Sequence, residues 1–259
     1  MIKPVLHYFN LADEVVSFST TRHGGVSKGK LATLNINPHR GDEPSAVAEN
    51  LQAVAAEIGV QADKVIRLHQ IHETHCLTVT DAFFNLSAAE QYEMEEGKDA
   101  VVTDCRNVCI GVHTADCVPI LFYDPVHHAI GAAHAGWRGT VQRIAQHTLR
   151  KMTELYGTDP KELKAVVGPC ISLKNFEVGQ EVYDAFSAAG FPMERIARMY
   201  EKWHIDLPLC NQLQLEELGV PTANIIQSGI CTYDNASDFF SARILKEGFG
   251  TIYTGIALK

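Results

Sequence analysis

The chain has 259 residues, 46% of them hydrophobic and 20% charged with both signs dispersed, which supplies a substantial core and speaks against disorder. A formal charge of −9 argues against a nucleic-acid partner, which would call for a basic stripe. The opening Met1-Ile2-Lys3-Pro4 lacks the apolar run of a signal peptide, and the longest apolar runs fall short of a membrane span. Together with an odd count of seven cysteines, this predicts reduced thiols, a cytoplasmic location and no membrane partner. Residues 1–259 are read as a single domain.

In chain order, residues 15–20 read as a strand, followed by a glycine loop, Arg22-His23-Gly24-Gly25-Val26-Ser27. Asp42-Glu43-Pro44 opens a helix, because acids and proline suit a first turn. Val47, Leu51, Val54 and Ile58 then share one face, and Gly59 ends it. Residues 65–68 and 76–80 read as strands flanking the cluster His69-Gln70-Ile71-His72-Glu73-Thr74-His75. A polar stretch follows, with the acidic residues 90–96 read as a solvated face. Then come four apolar, β-branched strands at 100–103, 108–113, 118–123 and 129–134. The clearest helix is predicted over 137–156, with Val141, Ile144, Ala145, Leu149, Met152 and Leu155 as its stripe and Gly157 as its stop. Residues 166–167, 225–226 and 252–253 are further strand candidates, and 180–189 and 208–218 further helices. Strands and helices without a regular βαβ rhythm predict an α+β fold.

Two segments concentrate chemistry. Thr114-Ala-Asp-Cys117 and Gly131-Ala-Ala-His-Ala-Gly-Trp-Arg-Gly139 place a cysteine and a histidine at the ends of short apolar runs. Small residues around His134 let backbone and ligand approach closely. With a histidine of the 69–75 cluster, these would form a three-ligand metal site with an open position. Imidazole and thiolate are borderline-soft donors that suit zinc and also hold copper. Spacing alone does not single out one histidine, since His69, His72 and His75 alternate in direction on an extended segment. Cys117 and His134 would also serve as nucleophile and base of a cysteine hydrolase or amidase. A non-catalytic metal-binding protein, closed by His75 as fourth ligand, is a further reading.

The combination of Gln70-Ile71-His72, Thr114-Ala-Asp-Cys117-Val-Pro119, Ala133-His-Ala-Gly-Trp-Arg-Gly139 and Gly168-Pro-Cys-Ile171 with Phe176-Glu-Val-Gly179 resembles the YfiH family of laccase-domain proteins. Thr20-Thr-Arg22, Gly24-Gly25-Val26-Ser27, Leu34-Asn35, Val47-Ala-Glu-Asn50 and Phe239-Phe-Ser241 with Arg243 extend the likeness to the C-terminus. Family members have been described as multicopper polyphenol oxidoreductases and as purine nucleoside phosphorylases. The resemblance implies a layered αββα sandwich of mixed sheets. It also implies that His72, Cys117 and His134 are both the metal ligands and the catalytic residues, with zinc or copper as cofactor. The implied reaction is phosphorolysis of adenosine, inosine and methylthioadenosine, with adenosine deamination alongside. Purine nucleosides and phosphate would be its partners, in a monomer or small homo-oligomer. Copper-dependent polyphenol oxidation is the alternative within the family. Phosphate calls for fork-shaped cationic donors, so Arg22 and Arg138 are the candidate substrate contacts together with Gln70. Asp116 would carry a proton, support the cysteine ligand or bond loop amides, and Trp137 would stack on a purine or pack.

Overall fold

The computed structural model describes residues 2–259. Four antiparallel strands form one sheet, in the order Leu6–Tyr8, Val15–Thr20, Ile252–Leu258, Cys109–Thr114. Six form a mixed sheet, in the order Ile225–Gln227, Lys164–Val167, Val118–Asp124, Ala129–Ala135, Ala100–Thr103, Cys76–Thr78. Its two outer pairings are parallel and its three inner ones antiparallel. A small third sheet joins Ala197–Met199, Trp203–Ile205 and Glu177–Val178.

The layering follows from the two-residue period of a strand. In Val118–Asp124, Leu121 and Tyr123 face the four-stranded sheet, where they meet Ile110, Val112, Ile256 and Leu258. Val118, Ile120 and Phe122 face the other way, onto Ile144, Leu149 and Met152 of one helix and Leu213 of another. The outer face of the four-stranded sheet, with Phe18, Cys109, Tyr253 and Ala257, is covered by Leu51, Val54 and Ile58. Helix, sheet, sheet and helix therefore stack in the αββα order. Both faces of both sheets are covered, which is why their strands read as continuous apolar runs.

The helix Pro44–Ile58 ends where expected, with Gly59 at φ 77° and its amide on Ala55 O and Ala56 O. Residues 65–68 are not a strand. Val65 makes a single bridge to Cys109, and Ile66 and Leu68 are buried in the layer between the sheets without a ladder. The helix expected over 137–156 is two helices, Trp137–Val141 and Ile144–Tyr156, broken by Arg143 in the left-handed region at φ 66°. The polar stretch holds a short helix, Ala88–Glu95, started by a capping box in which Ser87 and Glu90 bond each other's backbone amides.

Candidate metal centre

Three segments converge at one end of the sandwich. His134 lies near the end of Ala129–Ala135, Cys117 immediately precedes Val118–Asp124, and His72 sits in the loop before Cys76–Thr78. One ligand atom from each lies within 4.8 Å of the others. His134 is buried, Cys117 half-buried and His72 exposed, so the group opens outward. Cys117 Sγ lies 4.0 Å from His72 Nε2. The backbone of Gly136 passes so close that a Cβ there would stand 2.9 Å from His72 Cδ2 and 3.1 Å from Cys117 Sγ. Only glycine leaves room for the three side chains to meet at that point.

Asp99 builds this geometry. It is fully buried directly before the strand Ala100–Thr103, and its Oδ1 bonds His134 Nδ1 at 2.7 Å. The same carboxylate accepts the amides of Ile71, His72 and Glu73 at 3.1, 2.9 and 2.9 Å. Those bonds hold His72 in the left-handed region, at φ 67°, where a side chain is strained. Burial alone would raise the Asp99 carboxyl, but the His134 ring and the amides of Glu73 and Ile71 outweigh it and hold it below the usual range. Asp99 gave no signal in the sequence beyond being an acid set against an apolar strand.

The donor set fits a metal. With His134 Nδ1 committed to Asp99, its Nε2 is the free donor, an arrangement in which a carboxylate fixes the ring of a metal-binding histidine. Burial would push the Cys117 thiol up, yet His134 facing it and hydrogen bonds from both histidines bring it down, toward the thiolate a metal requires. For His134 burial acts downward, and Cys117 and Asp99 together raise it instead. The same chain of Asp99, His134 and Cys117 has the form of a cysteine nucleophile with an oriented base. His75 stands apart, paired with Glu73 at 3.6 Å, and His69 is bonded to Glu96 at 2.6 Å.

A cavity of about 250 Å³ opens beside the three side chains. Gln70 lines it and clamps His113, donating to its carbonyl at 2.8 Å and accepting from its amide at 2.7 Å. His113 and Arg40 also line it, and sequence reasoning passed over both. Arg22 does not: its guanidinium bonds Ala32 O at 3.1 Å and Ala236 O at 2.9 Å, fastening the glycine loop. Arg138 is exposed on the short helix, 4.3 Å from the ring centroid of Trp137, which packs on the core beneath it. Asp116 bonds Thr232 Oγ1, Ser241 Oγ and Arg243 N at 2.6, 3.0 and 2.7 Å, so it ties the C-terminal loops to the Cys117 turn.

A family model described as multi-copper polyphenol oxidoreductase laccase matches residues 16–259. The chain belongs to this laccase-like family. A purine nucleoside phosphorylase of Bacteroides thetaiotaomicron is 41% identical to it, over 99% of this chain and 97% of the relative. An adenosine deaminase RL5 from an unknown prokaryotic organism is 36% identical over 98% of both. The crystal structure of Bacillus licheniformis YfiH superposes with a TM-score of 0.91 at 30% identity, covering 99% of this chain and 97% of that one. The laccase-like family therefore joins phosphorylase and deaminase names to one fold, and no helix among the described residues is long and apolar enough to cross a membrane.

Proposed function

We propose that this chain is a zinc-dependent purine nucleoside phosphorylase acting on adenosine, inosine and methylthioadenosine, with adenosine deamination as a side activity. The observation that carries the reading is the three-donor group of His72, Cys117 and His134, braced by Asp99 at the wall of a cavity. The full-length likeness to relatives named for these two activities supports the choice of substrate class.

In phosphorolysis a phosphate oxygen bonds the anomeric carbon as the bond from that carbon to the purine nitrogen breaks. The electron pair leaves with the purine, which takes a proton. His72, Cys117 and His134 would hold the metal, which when bound would supply Lewis-acid polarisation of a substrate atom. The chain's own contribution is position and charge. Asp99 fixes the His134 ring, the Asp99-bound amides fix His72, and Gln70 holds the strand end bearing His113. Multicopper oxidation would need several metal centres. Among the described residues this is the one group of three or more side chains that could hold a metal, which weighs against a multicopper centre.

The test is metal-resolved turnover. Protein purified without added metal is assayed for zinc and copper, then given adenosine, inosine and methylthioadenosine with and without phosphate, and products are separated by chromatography. Phosphate-dependent release of free base, lost together with zinc in Cys117→Ala, is the expected result. Bound zinc without turnover of any nucleoside overturns the assignment. A metal-free protein with an alkylatable Cys117 replaces it with the cysteine hydrolase.

A further inference from the structure

The cavity wall holds two side chains with ring or guanidinium nitrogens that the protein leaves without a polar partner. Arg40 is half-buried beside the metal group. Its Nε donates to Phe249 O at 3.1 Å, and its guanidinium lies 4.2 Å from the Phe249 ring centroid. Its terminal nitrogens have no protein partner, and no carboxylate forms an ion pair with it among the described residues. The nearby basic side chains differ. His69 is bonded to Glu96, and Arg67 feels the charge of Glu95. Withdrawal from water lowers the Arg40 pKa, with no acidic neighbour to oppose it. A partly desolvated cation without a counter-charge is costly, and an anion arriving from solution removes that cost.

His113 is the second group. It is 4% exposed, and its Nε2 is buried with no hydrogen-bond partner. Asn37 Oδ1 accepts from His39 N at 2.9 Å, which leaves Asn37 Nδ2 to donate to Thr251 Oγ1 at 3.2 Å. The Thr251 hydroxyl then has its own proton to give, and His113 Nδ1 lies 3.3 Å away. That bond can run in either direction, because a hydroxyl accepts twice and donates once, and in both cases His113 Nε2 is left without a partner. Thr114 Oγ1 in the same wall also lacks a partner.

We infer that His113 carries its proton on Nε2, that this N–H and Arg40 form an oxyanion subsite in this cavity, and that its occupant is inorganic phosphate. The assignment of phosphate rests on the phosphorylase reading. A free cation and a neutral donor together match a tetrahedral dianion, whose oxygens accept several bonds at once. A purine carbonyl would satisfy the histidine but leave the arginine uncompensated. Arg22 and Arg138, the arginines that the sequence offered for phosphate, are occupied elsewhere or turned to solvent.

The experiment uses the zinc-loaded full chain. Calorimetric titration with inorganic phosphate, and the KM for phosphate in inosine phosphorolysis, are measured for the wild type, Arg40→Gln and His113→Phe. Each variant is expected to weaken phosphate binding and raise that KM about tenfold or more, as loss of a hydrogen bond to a charged group implies. The KM for inosine and the zinc content are expected to hold, which a merely structural defect would not allow. Phosphate binding that is absent in the wild type, or unchanged in Arg40→Gln, overturns the subsite. Unchanged phosphate KM with turnover intact removes the subsite and keeps the phosphorylase. Phosphate binding weakened in the variants of a protein that turns over no nucleoside keeps the subsite and removes the phosphorylase. Arg40 ends the three-residue 3-10 helix Pro38–Arg40 and is only half-buried, so Arg40→Gln decides even where His113→Phe fails to fold.

Discussion

Asp99 is the side chain on which the centre turns, since one buried carboxylate receives three consecutive amides and the ring of His134. Replacing it with asparagine preserves shape but turns one acceptor oxygen into a donor that faces donors. The loop bearing His72 and the ring of His134 then lose a common anchor. Asp99→Asn is therefore expected to lower zinc affinity roughly 10- to 100-fold, the range for partners that orient metal ligands, measured by competition with a chromophoric chelator. Unchanged affinity would mean that the centre is preformed by the strands alone. At this scale the sequence was half legible. Cys117 and His134 stood out at the ends of short apolar runs, His134 also by the small residues around it, and the family likeness singled out His72. Asp99, Arg40 and His113 were silent, because an acid before a strand, an arginine at the end of a short 3-10 helix and a histidine in an apolar run each look ordinary until the fold brings them to one place.

The break between the helices Trp137–Val141 and Ile144–Tyr156 belongs to the scale of elements. The apolar stripe runs through residues 141–155 with helical period, so periodicity predicts one continuous helix, and nothing in the pattern marks a stop. Tertiary contacts override it. The Arg143 guanidinium bonds Ala189 O at 2.9 Å and lies 3.8 Å from the Phe191 ring centroid, against the loop after the helix Gln180–Ala188. These contacts offset a left-handed residue whose conformation costs about 1–2 kcal/mol outside glycine. Arg143→Ala keeps the strained backbone and removes the contacts, so a destabilisation of about 1–2 kcal/mol is expected, read from urea unfolding. Arg143→Gly relieves the strain while losing the same contacts, and should fall between the alanine variant and the wild type. An alanine variant as stable as the wild type would show that the break is imposed by the neighbouring turns instead. Short strands were missed for a related reason. Glu177–Val178, Ala197–Met199 and Trp203–Ile205 are two or three residues long and are defined by pairing with one another, not by a pattern within each.

The molecule as a whole is held by strands shared between layers. Ile252–Leu258, from the C-terminal end, lies inside the four-stranded sheet between Val15–Thr20 and Cys109–Thr114, and its two faces join two different core clusters. The sequence made the inner strands legible because covering both faces leaves long apolar runs, whereas this strand was legible only over residues 252–253, as Gly255 and Ala257 dilute its signal. The proposed metal ties in at the same level. Its ligands come from one strand of the six-stranded sheet, the turn leading into a second and the loop leading into a third, and His113, in the adjoining cavity wall, belongs to the other sheet. A ligand bound only by the folded state stabilises it by an amount set by free concentration over Kd, about 4 kcal/mol at a thousandfold excess. Stripping the metal with a chelator should therefore lower the thermal midpoint by several degrees. The transition should remain single, because the core shared between the sheets, with Leu121 and Tyr123 against Ile110, Val112 and Ile256, couples the two halves. Calorimetry before and after chelation checks this. Two separated transitions would mean that the layers are independent folding units, and an unmoved midpoint would mean that the three side chains hold no metal in the purified protein.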